Sequence, residues 1–252
     1  MEFNLSKPTH LFAGFMLFLS LFIFIGMPLL SYFGIISSSS GSTDPFSGLP
    51  ELVKIIAELF VLGLQVILVV LFFILVPYIW YKLVNHLNLK EMMDAILLKR
   101  EGIQMAVLWG VIGAIISFGI VIALGVIFTV LGFDIQNASN ITDLEKLFPL
   151  PAILFLITFQ PIAEEIFFRG FLLEKLTKVA NIPVAVLISS LFFGIAHLLA
   201  GNPYPALITG VIGIVFAVLV IKTKNLYSSI FAHIIFNITN FLFYLLGKMI
   251  LR

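Results

Sequence analysis

Six side chains in the last hundred residues are of the types that hydrolysis uses: Glu164, Glu165 and Arg169, then His197, then His233 and Asn237. A carboxylate beside an imidazole can deprotonate a water that then attacks a carbonyl carbon. A second imidazole with a carboxamide can hydrogen-bond the resulting oxyanion. The spacing assigns faces. Glu165 and Arg169 are i,i+4 on a helix and can pair. Glu164 is turned about 100° away, so Arg169 neutralises Glu165 and leaves Glu164 free to act. His233 and Asn237 are also i,i+4, with Asn240 continuing that face, and Phe193 shares a face with His197. Glu164, His197 and His233 are in addition a donor set that zinc accepts, as a His₂Glu site with one open position. The reading preferred here is metal-free, with no cofactor.

Other hydrolytic and nucleotide sites are missing from the sequence. It has no HExxH, no GxSxG or rhomboid-like serine motif and no Walker A loop. No Asp falls in an apolar run, which argues against an aspartyl intramembrane protease, and the absence of Cys removes thiolate chemistry.

The elements that must carry these residues are membrane helices. The chain has 252 residues, of which 61% are hydrophobic and only 11% charged, with a mean hydropathy of +1.18. Soluble domains carry about 25% charged residues, so this chain could not cover its own surface in water. The net charge of +1 offers no basic face to nucleic acid. The apolar runs are continuous rather than alternating, which fits helices and not a β-barrel. The expected fold is an all-α polytopic membrane protein with about seven spans, or eight if one is short. The spans read as 11–36, 57–84, 103–132, 150–174, 183–200, 205–222 and 226–247. Residues 1–149 then hold three spans and their loops, and 150–252 a four-helix catalytic core. Ser37–Gly41 with Pro45 and Pro50 separates the first two spans, and Gly201-Asn202-Pro203 makes a very short link before the sixth.

Basic residues orient the spans. If the spans alternate, ten of the fourteen Lys and Arg, including Lys7, Lys82, Lys90, Lys99, Arg100, Lys175, Lys178, Lys222 and Lys224, fall on one side. That side is expected to be cytoplasmic and to hold the N-terminus and loops 85–102, 175–182 and 222–225. Lys54, Lys146, Lys248 and Arg252 fall opposite, with loop 133–149 and its sequons at Asn137 and Asn140. Tyr78, Trp80 and Tyr81 suggest an interfacial belt.

Ionisable groups inside a span cost about 2.5–3.5 kcal/mol each at a helix centre, so those present call for a reason. Counted inward at 1.5 Å per residue from span ends at 174, 183 and 224, Glu164 lies about 15 Å deep, His197 about 21 Å, His233 about 13 Å and Asn237 about 20 Å. They share a slab of roughly 8 Å near the middle of the bilayer. This suggests one polar site made by three helices and opening toward the cytoplasmic side. Pro161, one turn before the glutamates, removes a backbone donor and is expected to kink the helix and make room.

Glu164-Glu165-x-x-x-Arg169, Phe193-x-x-x-His197 and His233-x-x-x-Asn237, in this order on successive apolar helices, resemble the CPBP family of intramembrane proteases. That family comprises the CAAX prenyl proteases of the Ras-converting type and their bacteriocin-processing relatives. The resemblance covers roughly residues 150–245, and the first three spans match only as hydrophobic helices. It implies an intramembrane endopeptidase in which Glu164 and His197 activate water, His233 and Asn237 form the oxyanion site, and Glu165 with Arg169 supports the geometry. It implies as substrate the CaaX tail of a prenylated protein, or another membrane-associated peptide.

Two other functions compete. A non-catalytic membrane scaffold or immunity protein would keep the motifs for packing, since a buried ion pair, a packed histidine or a helix-bridging Asn is structural in many membrane proteins. A proton-coupled transporter could use Glu164 and the histidines as a relay, but the chain shows no inverted repeat and its polar groups gather in one third of its length.

Overall fold

The structure, a computed structural model, describes residues 3–36, 46, 48–133, 145, 147–198 and 203–250. The Ser37–Gly41 break, the sequons, Gly201, Asn202, Lys146 and Arg252 lie outside the described residues. The protein is an all-α polytopic membrane protein. Among the described residues six helices are long and apolar enough to cross a bilayer: α1 (Pro8–Tyr32), α2 (Glu51–Leu83), α4 (Ile103–Val130), α5 (Leu150–Val179), α7 (Pro203–Thr223) and α8 (Tyr227–Ile250). Two shorter helices also lie among the described residues, α3 (Leu89–Ala95) and α6 (Ile182–Ile195).

Local chemistry sets the helix ends. Pro8, Pro151 and Pro183 sit in the first turns of α1, α5 and α6, where a missing N–H costs nothing. Asn181 Oδ1 caps α6 by accepting from the Val184 N–H at 3.0 Å. A capping box starts α3: Glu91 N–H donates to Asn88 Oδ1 and Asn88 N–H donates to Glu91 Oε2. Three membrane helices contain π-helical turns, Phe22–Gly26 in α1, Val70–Leu75 in α2 and Ile166–Leu172 in α5. The first two lie just before Pro28 and Pro77, whose rings displace the carbonyls four residues back.

The fifth apolar run departs from expectation. It forms a helix of 14 residues, Ile182–Ile195, rather than a span reaching 200. At 1.5 Å per residue it is about 21 Å long, short of the roughly 30 Å hydrocarbon core. Its last turn tightens as the His197 and Leu198 amides bond to the Gly194 and Ile195 carbonyls. At the other extreme, α2 starts six residues before the expected span, so Lys54 also lies within it and pairs with Glu58 at 3.9 Å.

Two kinds of packing hold the bundle. Helix α4 turns its small residues Ala106, Gly110, Gly113, Ala114 and Ser117 inward. A Cβ on Gly110 would come within 2.7 Å of the Phe231 Cβ of α8, so the two backbones touch through glycine. Gly194 of α6 likewise abuts Gly210 of α7. Between α1, α2 and α5 the core is aromatic instead. Phe24 and Phe73 have ring centroids 4.3 Å apart, and Phe73 continues to Phe167 and Phe168 at 5.3 and 5.7 Å.

The loops expected on one side do meet there. Leu226 N–H donates to the Leu97 carbonyl at 2.8 Å, and the Asn225 amide donates to the carbonyls of Lys99 and Glu101. Lys175 donates to Asn85, and the Tyr81 hydroxyl to Glu174. Tyr81 is thus buried against protein rather than standing in an interfacial belt. The N-terminal segment joins the same side, with Phe3 stacked on Trp80 and the buried His10 ring 6.5 Å from that of His86. At the opposite end Tyr244 and Lys248 both donate to Glu145, at 2.6 and 2.8 Å.

Candidate active site

The site is built where α5, α6, α7 and α8 converge. Pro161 lies inside α5, and four residues later the regular helix ends at Glu165 and the π-helical turn that carries Arg169 begins. Arg169 Nη1 donates to Glu165 Oε1 at 2.9 Å, with both side chains fully buried. On α8, His233 Nδ1 lies 3.0 Å from the same Oε1, so one carboxylate oxygen binds both groups. A carboxylate only accepts, so an ionised Glu165 requires the proton on Nδ1. That bond fixes the imidazole plane and points Nε2 at Glu164, whose Oε2 is 3.8 Å away. This is beyond direct hydrogen-bond reach. Glu164 Oε1 accepts instead from Gln160 Nε2 at 2.7 Å.

Arg169 is enclosed by aromatic rings. Its guanidinium carbon stands 3.9 Å from the Phe193 centroid and 5.5 Å from that of Phe216. Aromatic faces attract such a cation most strongly where water is excluded. Gly213 of α7 makes the space, because a Cβ there would lie 2.9 Å from Arg169 Nη2. Glu165 Oε2, Arg169 Nε and Nη2 and Ser190 Oγ are buried without a hydrogen-bond partner among the described residues.

His197 stands just beyond the end of α6, half-buried. Its Nδ1 is 2.8 Å from the Phe193 carbonyl, one of the acceptors a helix terminus leaves over. A carbonyl can only accept, so Nδ1 carries the proton and Nε2 of the neutral ring is free to take one. The Phe193 ring touches both histidines edge-on, with centroids 4.8 Å from His197 and 5.7 Å from His233. Asn237 follows one turn after His233, half-buried and not hydrogen-bonded to either carboxylate.

Glu164, Glu165, Arg169 and His233 therefore form one contacting cluster, to which His197 is joined through Phe193. Two polar residues that the ionisable list passes over are also present. Gln160 touches Glu164, and Gln65 of α2 donates to Gln160 Oε1 at 3.3 Å. Gln160 could have been found from its position four residues before Glu164; the contact from α2 leaves no trace in the sequence. Among the described residues no three His, Asp or Glu side chains are grouped to hold a metal ion, and this includes Glu164, His197 and His233.

Residues 146–239 match the model of the Type II CAAX prenyl endopeptidase Rce1-like family. The Bacillus subtilis (strain 168) protein named "Putative membrane peptidase YdiL" is 34% identical over 142 residues, covering 55% of this chain and 57% of that one. The chain thus spans a little over half the length of this curated relative. No solved structure matches the chain.

Proposed function

We propose that this chain, whose residues 146–239 match the Rce1-like family model, is a CPBP-type intramembrane endopeptidase that uses Glu164 as the base for water attack. The observation that carries this reading is the position of His233 between two unlike carboxylates, bonded to Glu165 at 3.0 Å and 3.8 Å from Glu164. Glu165 has a guanidinium of its own. Glu164 has a neutral amide as its hydrogen-bond partner, on Oε1, which leaves Oε2 to accept a proton.

In the proposed reaction Glu164, assisted by His197 through its free Nε2, removes a proton from a water. The water oxygen bonds to the scissile carbonyl carbon, and the C=O electron pair moves onto oxygen. His233 and Asn237 donate hydrogen bonds to that oxyanion. With Nδ1–H committed to Glu165, His233 can donate from Nε2 only when its ring holds both protons. Collapse re-forms the carbonyl and breaks the C–N bond, and the proton held by Glu164 passes to the leaving nitrogen. Glu165 and Arg169 position His233. No metal enters these steps, and activity is expected to persist in a chelator.

The proposed substrate is the CaaX tripeptide of a prenylated chain, or a related membrane-associated peptide, reached from the side where loops 85–102, 175–182 and 222–225 meet. That side is proposed to be cytoplasmic. The test incubates purified protein with a farnesylated CaaX peptide and its unprenylated twin, with and without chelator, and weighs the products. Release of the tripeptide by the wild type and not by Glu164→Gln is expected. Comparable turnover by Glu164→Gln would sink the base assignment. Full biological function in that variant would favour a scaffold instead.

A further inference from the structure

The first three spans enter the sequence reading only as hydrophobic helices, yet α2 brings a polar group to the reactive carboxylate. Gln160 is one turn before Glu164 and donates from Nε2 to Glu164 Oε1 at 2.7 Å. Gln65, from the middle of α2, donates from its own Nε2 to Gln160 Oε1 at 3.3 Å. Both glutamines are half-buried. In hydrocarbon each amide needs a partner for its polar edges, so a pair of glutamines on two helices is a costly arrangement without a use.

The direction of the two bonds follows from chemistry. An ionised carboxylate offers no donor, so Gln160 must turn its NH₂ toward Glu164. Its carbonyl then faces α2 and needs a donor there. Gln65 supplies that donor, and a flipped Gln160 would set oxygen against oxygen at Glu164 and amino group against amino group at Gln65. One amide thus locks the other. The result is an asymmetric carboxylate: Oε1 is held at 2.7 Å, and Oε2 is the oxygen turned toward His233.

We propose that Gln160 is a positioning residue for Glu164, and that Gln65 acts through Gln160, so that the N-terminal half of the chain helps to aim the catalytic base. The inference rests on the reading of Glu164 as that base. It assigns the neutral amides a role a cation could not fill. A lysine at 160 would pair with Glu164 and hold its proton off, whereas an amide orients the carboxylate and leaves its charge for the reaction.

The test compares Gln160→Leu, Gln65→Leu and the double variant with wild type and Glu164→Gln, in one lipid, on one cleaved peptide. Gln160→Leu is expected to lower kcat by about 10- to 100-fold with KM within about twofold, as expected when a hydrogen bond to a charged group is lost in the transition state. Gln65→Leu is expected to lower kcat less, and the double variant no further than Gln160→Leu alone. Wild-type kcat in Gln160→Leu, or single effects that multiply in the double, would overturn the proposal while a dead Glu164→Gln leaves the base assignment standing. An active Glu164→Gln would instead remove the base reading and this inference with it. If the wild type cleaves none of the peptides, thermal unfolding in detergent reads the same cycle. The Tm loss of the double variant is expected to be smaller than the sum of the singles, and strict additivity would overturn the relay.

Discussion

Glu164 and Glu165 are consecutive residues of one helix, both buried, and they sit in opposite kinds of surroundings. On the side toward α6, α7 and α8, Glu165 is held by Arg169 and His233 through one oxygen, and the guanidinium is enclosed by Phe193 and Phe216. On the side toward α2, Glu164 meets Gln160 and, behind it, Gln65, with no cation in hydrogen-bond contact. The first region is fully committed, its charge cancelled by a dedicated partner. The second supplies orientation without neutralisation. In a solvent that penalises every charge, the carboxylate with its own cation is the one proposed to be structural, and the one hydrogen-bonded only to an amide is the one proposed to react.

The sharpest way to separate the two regions is to remove each carboxylate's charge. Glu164→Gln is expected to cut peptide turnover by about 10²–10⁴-fold, the usual share of a general base. Its unfolding temperature in detergent should stay near the wild-type value, because it keeps the shape and the neighbouring amide. Arg169→Met should do the reverse first. Leaving Glu165 buried without its cation costs about 3–5 kcal/mol, to be seen as a loss of folded protein before any effect on chemistry is measured. Adding Glu165→Gln to Arg169→Met should recover much of that stability, though not the positioning of His233.

Smaller effects test the enclosure around the guanidinium. Gly213→Ala puts a methyl 2.9 Å from Arg169 Nη2 and 3.2 Å from the Phe193 ring, and is expected to destabilise by about 1–3 kcal/mol as overpacking does. Gly210→Ala, three residues away on the same helix, meets nothing nearer than 3.6 Å. It should be neutral or gain up to about 1 kcal/mol from helix propensity. Equal losses at both glycines, read by thermal unfolding, would mean that the fit around Arg169 is not special. The smallest effect is expected at the end of the bundle where the loops meet: Tyr81→Phe removes one 3.3 Å hydrogen bond to Glu174 and should cost no more than about 1 kcal/mol.

What the sequence discloses is what local arithmetic and solvent choice can disclose. Low charge and long apolar runs identify the membrane, and i,i+4 spacing brings Glu165 near Arg169 without any knowledge of the fold. Contacts between helices are harder to read in this solvent. The buried stripe of α4 is Ala106, Gly110, Gly113, Ala114 and Ser117, and its lipid face carries Ile115, Ile122 and Val126. Both faces are apolar, so hydrophobicity marks neither as inside. The approach of Gln65 to Gln160 is hidden for the same reason, since nothing in α2 says which helix it faces. The end of α6 at Ile195 was concealed because apolar residues continue past it, and only the hydrogen bonds of His197 reveal the stop. His10 is hidden differently: it falls one residue before the expected first span, yet it is wholly buried inside α1.

The shortness of α6 has a consequence for how this protein meets different lipids. Six of the rods among its described residues are at least 21 residues long and can answer a change in acyl-chain length by tilting. The shorter α6 has 14 residues and ends just before the histidine it presents. Longer acyl chains would re-angle the surrounding rods while α6 keeps its own length, so the distance from His197 to the helices bearing Glu164 and His233 becomes a quantity that bilayer thickness itself can tune.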